Sequence, residues 1–205
     1  MSMRNKTRLL LVLNLLLTAS WSRAAEDREQ WQQPDRVMAD LHLPPGATNA
    51  DVGCGTGNFT FRLAQAVGPS GKVFAEDISP DALKAVRQRV EKEKCVNVEV
   101  IQSAPSDTKL RPASLDAALV CLVLHEAVPA DRLPLVRDVA RALKPGGFLF
   151  VIDLRKSHEV KFDPYEKLIP RDDLVKFGTD AGLSLDAEFH YLKYQVFLRF
   201  RKPKP

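Results

Sequence analysis

The 205-residue chain is poor in several features, and each shortage excludes a class of protein. It has three cysteines, Cys54, Cys95 and Cys121. An odd three permits one disulfide at most, so cross-links do not build the fold, and no Cys/His spacing suggests a metal site. Internal repeats and low-complexity tracts are absent, and an apolar content of 45% suits one globular domain with an ordinary core. The one long apolar run, from Leu9 to Leu17 with a single Asn14, falls short of the roughly 20 residues that cross a bilayer. Excess charge is also missing. The four basic residues before Ala25 are Arg4, Lys6, Arg8 and Arg23, with no acid among them. Setting them aside reduces 30 basic residues to 26, against 26 acids, so a near-neutral chain gives no electrostatic argument for a nucleic-acid partner.

Those first residues form a pattern of their own: basic, then apolar, then small at Ser22 and Ala24. This order predicts a secretory signal peptide over 1–24 and one domain over 25–205, exported to a periplasm or secreted, with no stable membrane span after cleavage. No cysteine follows the apolar run and no arginine pair precedes it, which argues against a lipoprotein and against twin-arginine export.

The rest of the chain is organised around Asp51-Val52-Gly53-Cys54-Gly55-Thr56-Gly57. An apolar-leaning strand, 47–52, enters a turn with glycine at alternate positions. A helix over 58–67 leaves it, with Phe59, Leu63, Ala66 and Val67 on one face. Glycine permits the positive φ of a sharp turn and close approach of a ligand to backbone, while a helix N-terminus offers unpaired N–H groups. The stretch 71–83 reads as a second strand ending in Glu76 and Asp77, then a helix with Ser79 as N-cap and Pro80 at its first position. Asp77 lies about twenty residues past the turn, where a strand-end carboxylate can accept both hydroxyls of a ribose.

Two nucleotide sites are excluded by spacing. A phosphate loop needs Gly-Lys-Ser/Thr, but Asn58 and Phe59 follow the last glycine. A dinucleotide turn needs its third glycine where Asn58 stands. The run G-x-G-x-G after Asp51, the segment Val73-Phe74-Ala75-Glu76-Asp77-Ile78-Ser79-Pro80 and Ala142-Leu143-Lys144-Pro145-Gly146-Gly147 before a strand resemble the class I S-adenosylmethionine-dependent methyltransferases. The resemblance spans roughly residues 30–201. It implies an α/β fold: a doubly wound, mostly parallel seven-stranded sheet with an antiparallel last strand.

It also implies roles for particular residues. Gly53, Gly55 and Gly57 would pass around the methionine portion of S-adenosylmethionine, Asp51 would shape the loop, Asp77 would take the ribose hydroxyls and Ile78 would pack on adenine. Leu122, at the end of the apolar fourth strand (114–123), belongs to the same set. The family commonly places an acid for the adenine amino group where Ala104 stands here, which leaves adenine to backbone groups or to Asp107. The acceptor would be a small molecule. His125, just past the fourth strand, is the candidate general base because its pKa lies near neutrality, and Glu126 could orient it. An irregular stretch, 154–170, could close over the strand ends. Two rivals remain: a protein that keeps the fold and binds without transferring, and a nicotinamide oxidoreductase, which the glycine spacing and the terminal strand pair disfavour.

Overall fold

A computed structural model describes residues 29–160 and 163–204. The proposed signal peptide therefore lies outside the described residues. Seven strands form one sheet: β1 (Thr48–Val52), β2 (Lys72–Asp77), β3 (Val98–Gln102), β4 (Leu115–Cys121), β5 (Leu143–Leu154), β6 (Ser184–Phe189) and β7 (Gln195–Arg201). Their order is β3-β2-β1-β4-β5-β7-β6; β7 runs antiparallel to β5 and to β6, and the remaining pairs are parallel. The expected α/β fold, a mostly parallel doubly wound sheet with antiparallel final strands, is what the chain forms.

Helices α1 (Pro34–Leu41), α2 (Thr60–Val67), α3 (Pro80–Glu93), α4 (Pro129–Ala142) and α5 (Arg171–Asp180) cover the sheet. Each parallel strand must be buried on both faces, because the crossover helices return over the sheet. β4, Leu-Asp-Ala-Ala-Leu-Val-Cys, meets that demand with four consecutive buried residues, Ala117 to Val120. Alternate residues feed two cores. Ala50, Ala118, Leu149 and Val151 join Leu135 and Val139 of α4 on one face. Val73, Leu119, Phe150 and Ile152 join Val37 of α1 and Leu63 of α2 on the other.

The helix after the glycine turn begins at Thr60, two residues later than its apolar spacing predicts, and no side chain caps it. β5 begins five residues earlier than expected. Gly146 N–H donates to the Lys202 carbonyl at 2.9 Å and Lys202 N–H to the Gly147 carbonyl at 2.9 Å, so the Lys-Pro-Gly-Gly segment joins the sheet instead of only ending a helix. Sheet order reverses at β1, whose neighbours are β2 and β4. Val52 is level with both Glu76 and Val120, so three chains leave the sheet together at one edge. Ligands of open α/β sheets bind at such a point.

Candidate active site

A cavity of about 320 Å³ opens at that edge. Of the residues assigned to cofactor binding from sequence, Gly53, Asp77, Ile78, Ala104 and Leu122 line it, and Glu126 lines it as well. Asp51, Gly55, Gly57 and His125 do not. Val123 and Leu135 add apolar wall, while Glu76 and Asp131 add carboxylates.

The glycine turn has a specific geometry. Gly53, Gly55 and Gly57 all take positive φ, 67°, 53° and 87°. A Cβ on Gly53 would stand 2.4 Å from Val123 Cγ2, and one on Gly57 would stand 2.8 Å from the Phe61 ring. These two glycines are thus demanded by the protein's own packing as much as by a ligand. At Gly55 a Cβ would meet nothing within 4 Å, so only there does the turn leave open space. Gly55 N–H donates to Asp77 Oδ2 and Ser79 N–H to Asp77 Oδ1, both at 2.8 Å. These bonds fix the carboxylate at the cavity wall, and a carboxylate has about four lone-pair positions, so it can still accept from hydroxyls.

Asp51 is buried and accepts from Thr60 Oγ1 at 2.6 Å. It ties the strand end to the start of α2 across the turn. Burial pushes its pKa up to about 6, against the opposing hydrogen bonds from Thr60 and with help from the charge of Asp77. Glu76 was not singled out from sequence. Burial pushes its pKa up to about 8, opposed by the Gly53 N–H and reinforced by Asp77 and Asp51, and its Oε2 has no hydrogen-bond partner. Three acids within the ends of two strands therefore lack a counter-cation among the described residues.

Beside the cavity stands a second group. After Leu122, whose φ of 60° is left-handed for a non-glycine residue, a tight turn closes with Glu126 and Ala127 N–H donating to the Val123 carbonyl at 3.1 and 3.0 Å. The turn holds His125 at 4% exposure. Its Nδ1 is hydrogen-bonded to Asp153 Oδ1, and its backbone N–H donates to Asp153 Oδ2 at 3.2 Å. Asp153, at 0% exposure, is therefore the group that orients His125. This corrects the expectation for Glu126, whose Oε1 lies 3.6 Å from the other ring nitrogen, Nε2, and whose Oε2 accepts from Lys167 Nζ at 2.8 Å. Asp163 Oδ2 is 3.7 Å from Nε2. Burial alone would lower the histidine pKa, but the Asp153 bond and the charges of Asp153, Asp163 and Glu126 outweigh it and hold the pKa above its ordinary value. Of the described residues in the stretch at 154–170, Asp163 and Lys167 reach His125 and Glu126.

The alternative in which Asp107 replaces the missing adenine acid is also corrected. Ala104 and Asp107 exchange backbone hydrogen bonds at 3.0 and 3.1 Å, and the Asp107 carboxylate turns to Lys109, outside the cavity. Ser103, just before Ala104, carries a buried hydroxyl with no partner.

A turn–strand–acid constellation at the switch point of a 3-2-1-4-5-7-6 sheet defines a Rossmann-like protein built for a nucleoside cofactor. A family model described as a methyltransferase domain matches residues 50–147. A demethylmenaquinone methyltransferase of Staphylococcus aureus is 30% identical over 172 residues, 84% of this chain and 68% of that protein. Its counterpart in Bacillus licheniformis is 31% identical over 153 residues, 75% of this chain and 63% of that protein. A crystal structure of a SAM dependent methyltransferase from Aquifex aeolicus superposes with a TM-score of 0.78 at 26% identity, covering 85% of this chain and 92% of that one. The chain belongs to the S-adenosylmethionine-dependent methyltransferase family. It spans 44% to 63% of the length of the first three curated relatives it matches.

Proposed function

We propose that the protein transfers a methyl group from S-adenosylmethionine to a small-molecule acceptor. One observation carries the reading: in a chain of this family, the glycine turn, Asp77 and the residues after β3 and β4 enclose a single cavity at the sheet's reversal point. The residues fit the cofactor. Glu76 and Asp77 give the cavity an acidic end, suited to a ligand bearing positive charge, and Ile78, Leu122, Val123 and Leu135 form an apolar end for a purine. When bound, S-adenosylmethionine supplies a methyl group already activated by its sulfonium.

What remains for the protein is positioning and, where the acceptor arrives protonated, removal of a proton. His125 is the group for that task. Asp153 holds its Nδ1 and leaves Nε2 3.6 Å from Oε1 of Glu126, a residue of the cavity wall. Demethylmenaquinone, named for the relatives, is the first acceptor to offer. The test is incubation of purified protein with S-adenosylmethionine and a panel of quinols and phenols. Formation of S-adenosylhomocysteine that depends on acceptor supports the reading; binding with no turnover on any acceptor favours a protein that keeps the fold without the activity.

Export belongs to the same proposal and rests on the pattern before Ala25. N-terminal sequencing of secreted or periplasmic material should begin near Ala25; full-length protein confined to the cytosol would refute it.

A further inference from the structure

We propose that His125, Glu126 and Asp163 form a binding site for one divalent first-row metal ion. His125 Nε2, Glu126 Oε1 and Asp163 Oδ2 converge from two loops, at 3.6 and 3.7 Å from the nitrogen to the two oxygens. One ligand atom from each lies within 4.8 Å of the others. Both distances exceed a hydrogen bond, so Nε2 of a histidine that is 96% buried points between two carboxylates without bonding either. An ion about 2.1 Å from each donor would draw such a triad together by a small amount.

Two further features favour a cation. The other ring nitrogen is bound to the buried Asp153 carboxylate, the arrangement that fixes the tautomer of a metal-ligating histidine. Among the described residues, Asp153, Glu126 and Asp163 face one ammonium, that of Lys167, which leaves two negative charges around a neutral imidazole. Imidazole with two carboxylates suits manganese, iron or zinc better than magnesium or calcium, which prefer all-oxygen sites. Three protein donors leave coordination positions open. A bound ion takes the lone pair that a histidine base needs, so loading the site should stop any transfer that uses His125 in that way; this consequence, unlike the binding itself, rests on the proposed function.

The test uses Mn²⁺ alone with the full chain, followed by loss of the free-ion electron paramagnetic resonance signal, with a thermal melt to show that each variant is folded and S-adenosylmethionine titrated into the wild type. The expected result is one ion per chain, weakened roughly 10-fold or more in Asp163→Asn and in Glu126→Gln. Lys167→Ala should strengthen binding, because its ammonium no longer competes for Glu126; a misfolded variant could not produce that gain. No stoichiometric ion, or an ion whose affinity ignores all three substitutions, overturns the site. Failure of S-adenosylmethionine to bind would count against the proposed function and not against the ion site. Turnover undiminished with the ion bound would refute the base role of His125 and leave the ion site standing.

Discussion

The two acid clusters at the carboxyl edge of the sheet are built on opposite principles. At the ends of β1 and β2, Asp51, Glu76 and Asp77 are held by neutral donors (Thr60, Gly53, Gly55 and Ser79), and burial raises the pKa of the first two to about 6 and 8. At the ends of β4 and β5, Asp153 and Glu126 are matched to cationic or protonatable side chains, His125 and Lys167. Both clusters hold more carboxylates than cationic groups among the described residues, and the first holds no cationic side chain at all. The second carries its own proton-handling group. Under the proposed function, cofactor capture and acceptor chemistry would divide along the reversal point of the sheet, so that disturbing one half should spare the other.

The sharpest way to break this division is His125→Ala. It should lower kcat by roughly 10²–10⁴-fold, with S-adenosylmethionine affinity little changed because the imidazole does not line the cavity. Parallel single-turnover and melting measurements check it; a variant that melts early yet turns over normally makes His125 structural. Asp153→Asn acts one step removed. Losing a charged hydrogen-bond partner costs about 1.5–3 kcal/mol, so kcat should fall by about one to two orders of magnitude while the cofactor dissociation constant stays put. A smaller effect sharpens the other half of the comparison. Between its ordinary value of 4.5 and its folded value of about 8, Glu76 holds a proton that the unfolded chain has lost. Stability without cofactor should therefore decrease as pH rises through that window, by at most about 1.4 kcal/mol per pH unit from this group. Glu76→Gln should flatten the slope in urea melts at pH 5, 6.5 and 8; an identical slope would mean that Glu76 does not titrate there.

The halves also differ in how far they could be read in advance. The glycine turn, Asp77, Ile78, Ala104 and Leu122 sit at local punctuation, where a strand gives way to a turn, and sequence shows such boundaries directly. Glu76 was visible as a strand-end acid, but its unpaired burial depends on the Gly53 turn folding back over it. Asp153 could not be singled out locally. It follows a run of core residues, and it meets His125 only because Cys121 is in register with Ile152 and Leu122 N–H reaches the Ile152 carbonyl at 2.8 Å. Asp163 and Lys167 come from a stretch with no periodicity, so their partners emerge only in three dimensions. The early start of β5 was hidden for a related reason, since its Gly-Gly segment is ordered by Lys202 near the far end of the chain.

The measurement that bears most directly on this account is a calorimetric titration of wild type and Asp77→Ala with S-adenosylmethionine, with NAD as the comparison ligand. Asp77 is the one charged side chain fixed at the cavity wall by two backbone donors and still able to accept from a ribose. The account predicts one S-adenosylmethionine per wild-type chain, no comparable binding of NAD, and a loss of about 10–100-fold in affinity on substitution, from a charged hydrogen bond worth about 1.5–3 kcal/mol. Equal affinity in the two proteins, or preference for NAD, would contradict it.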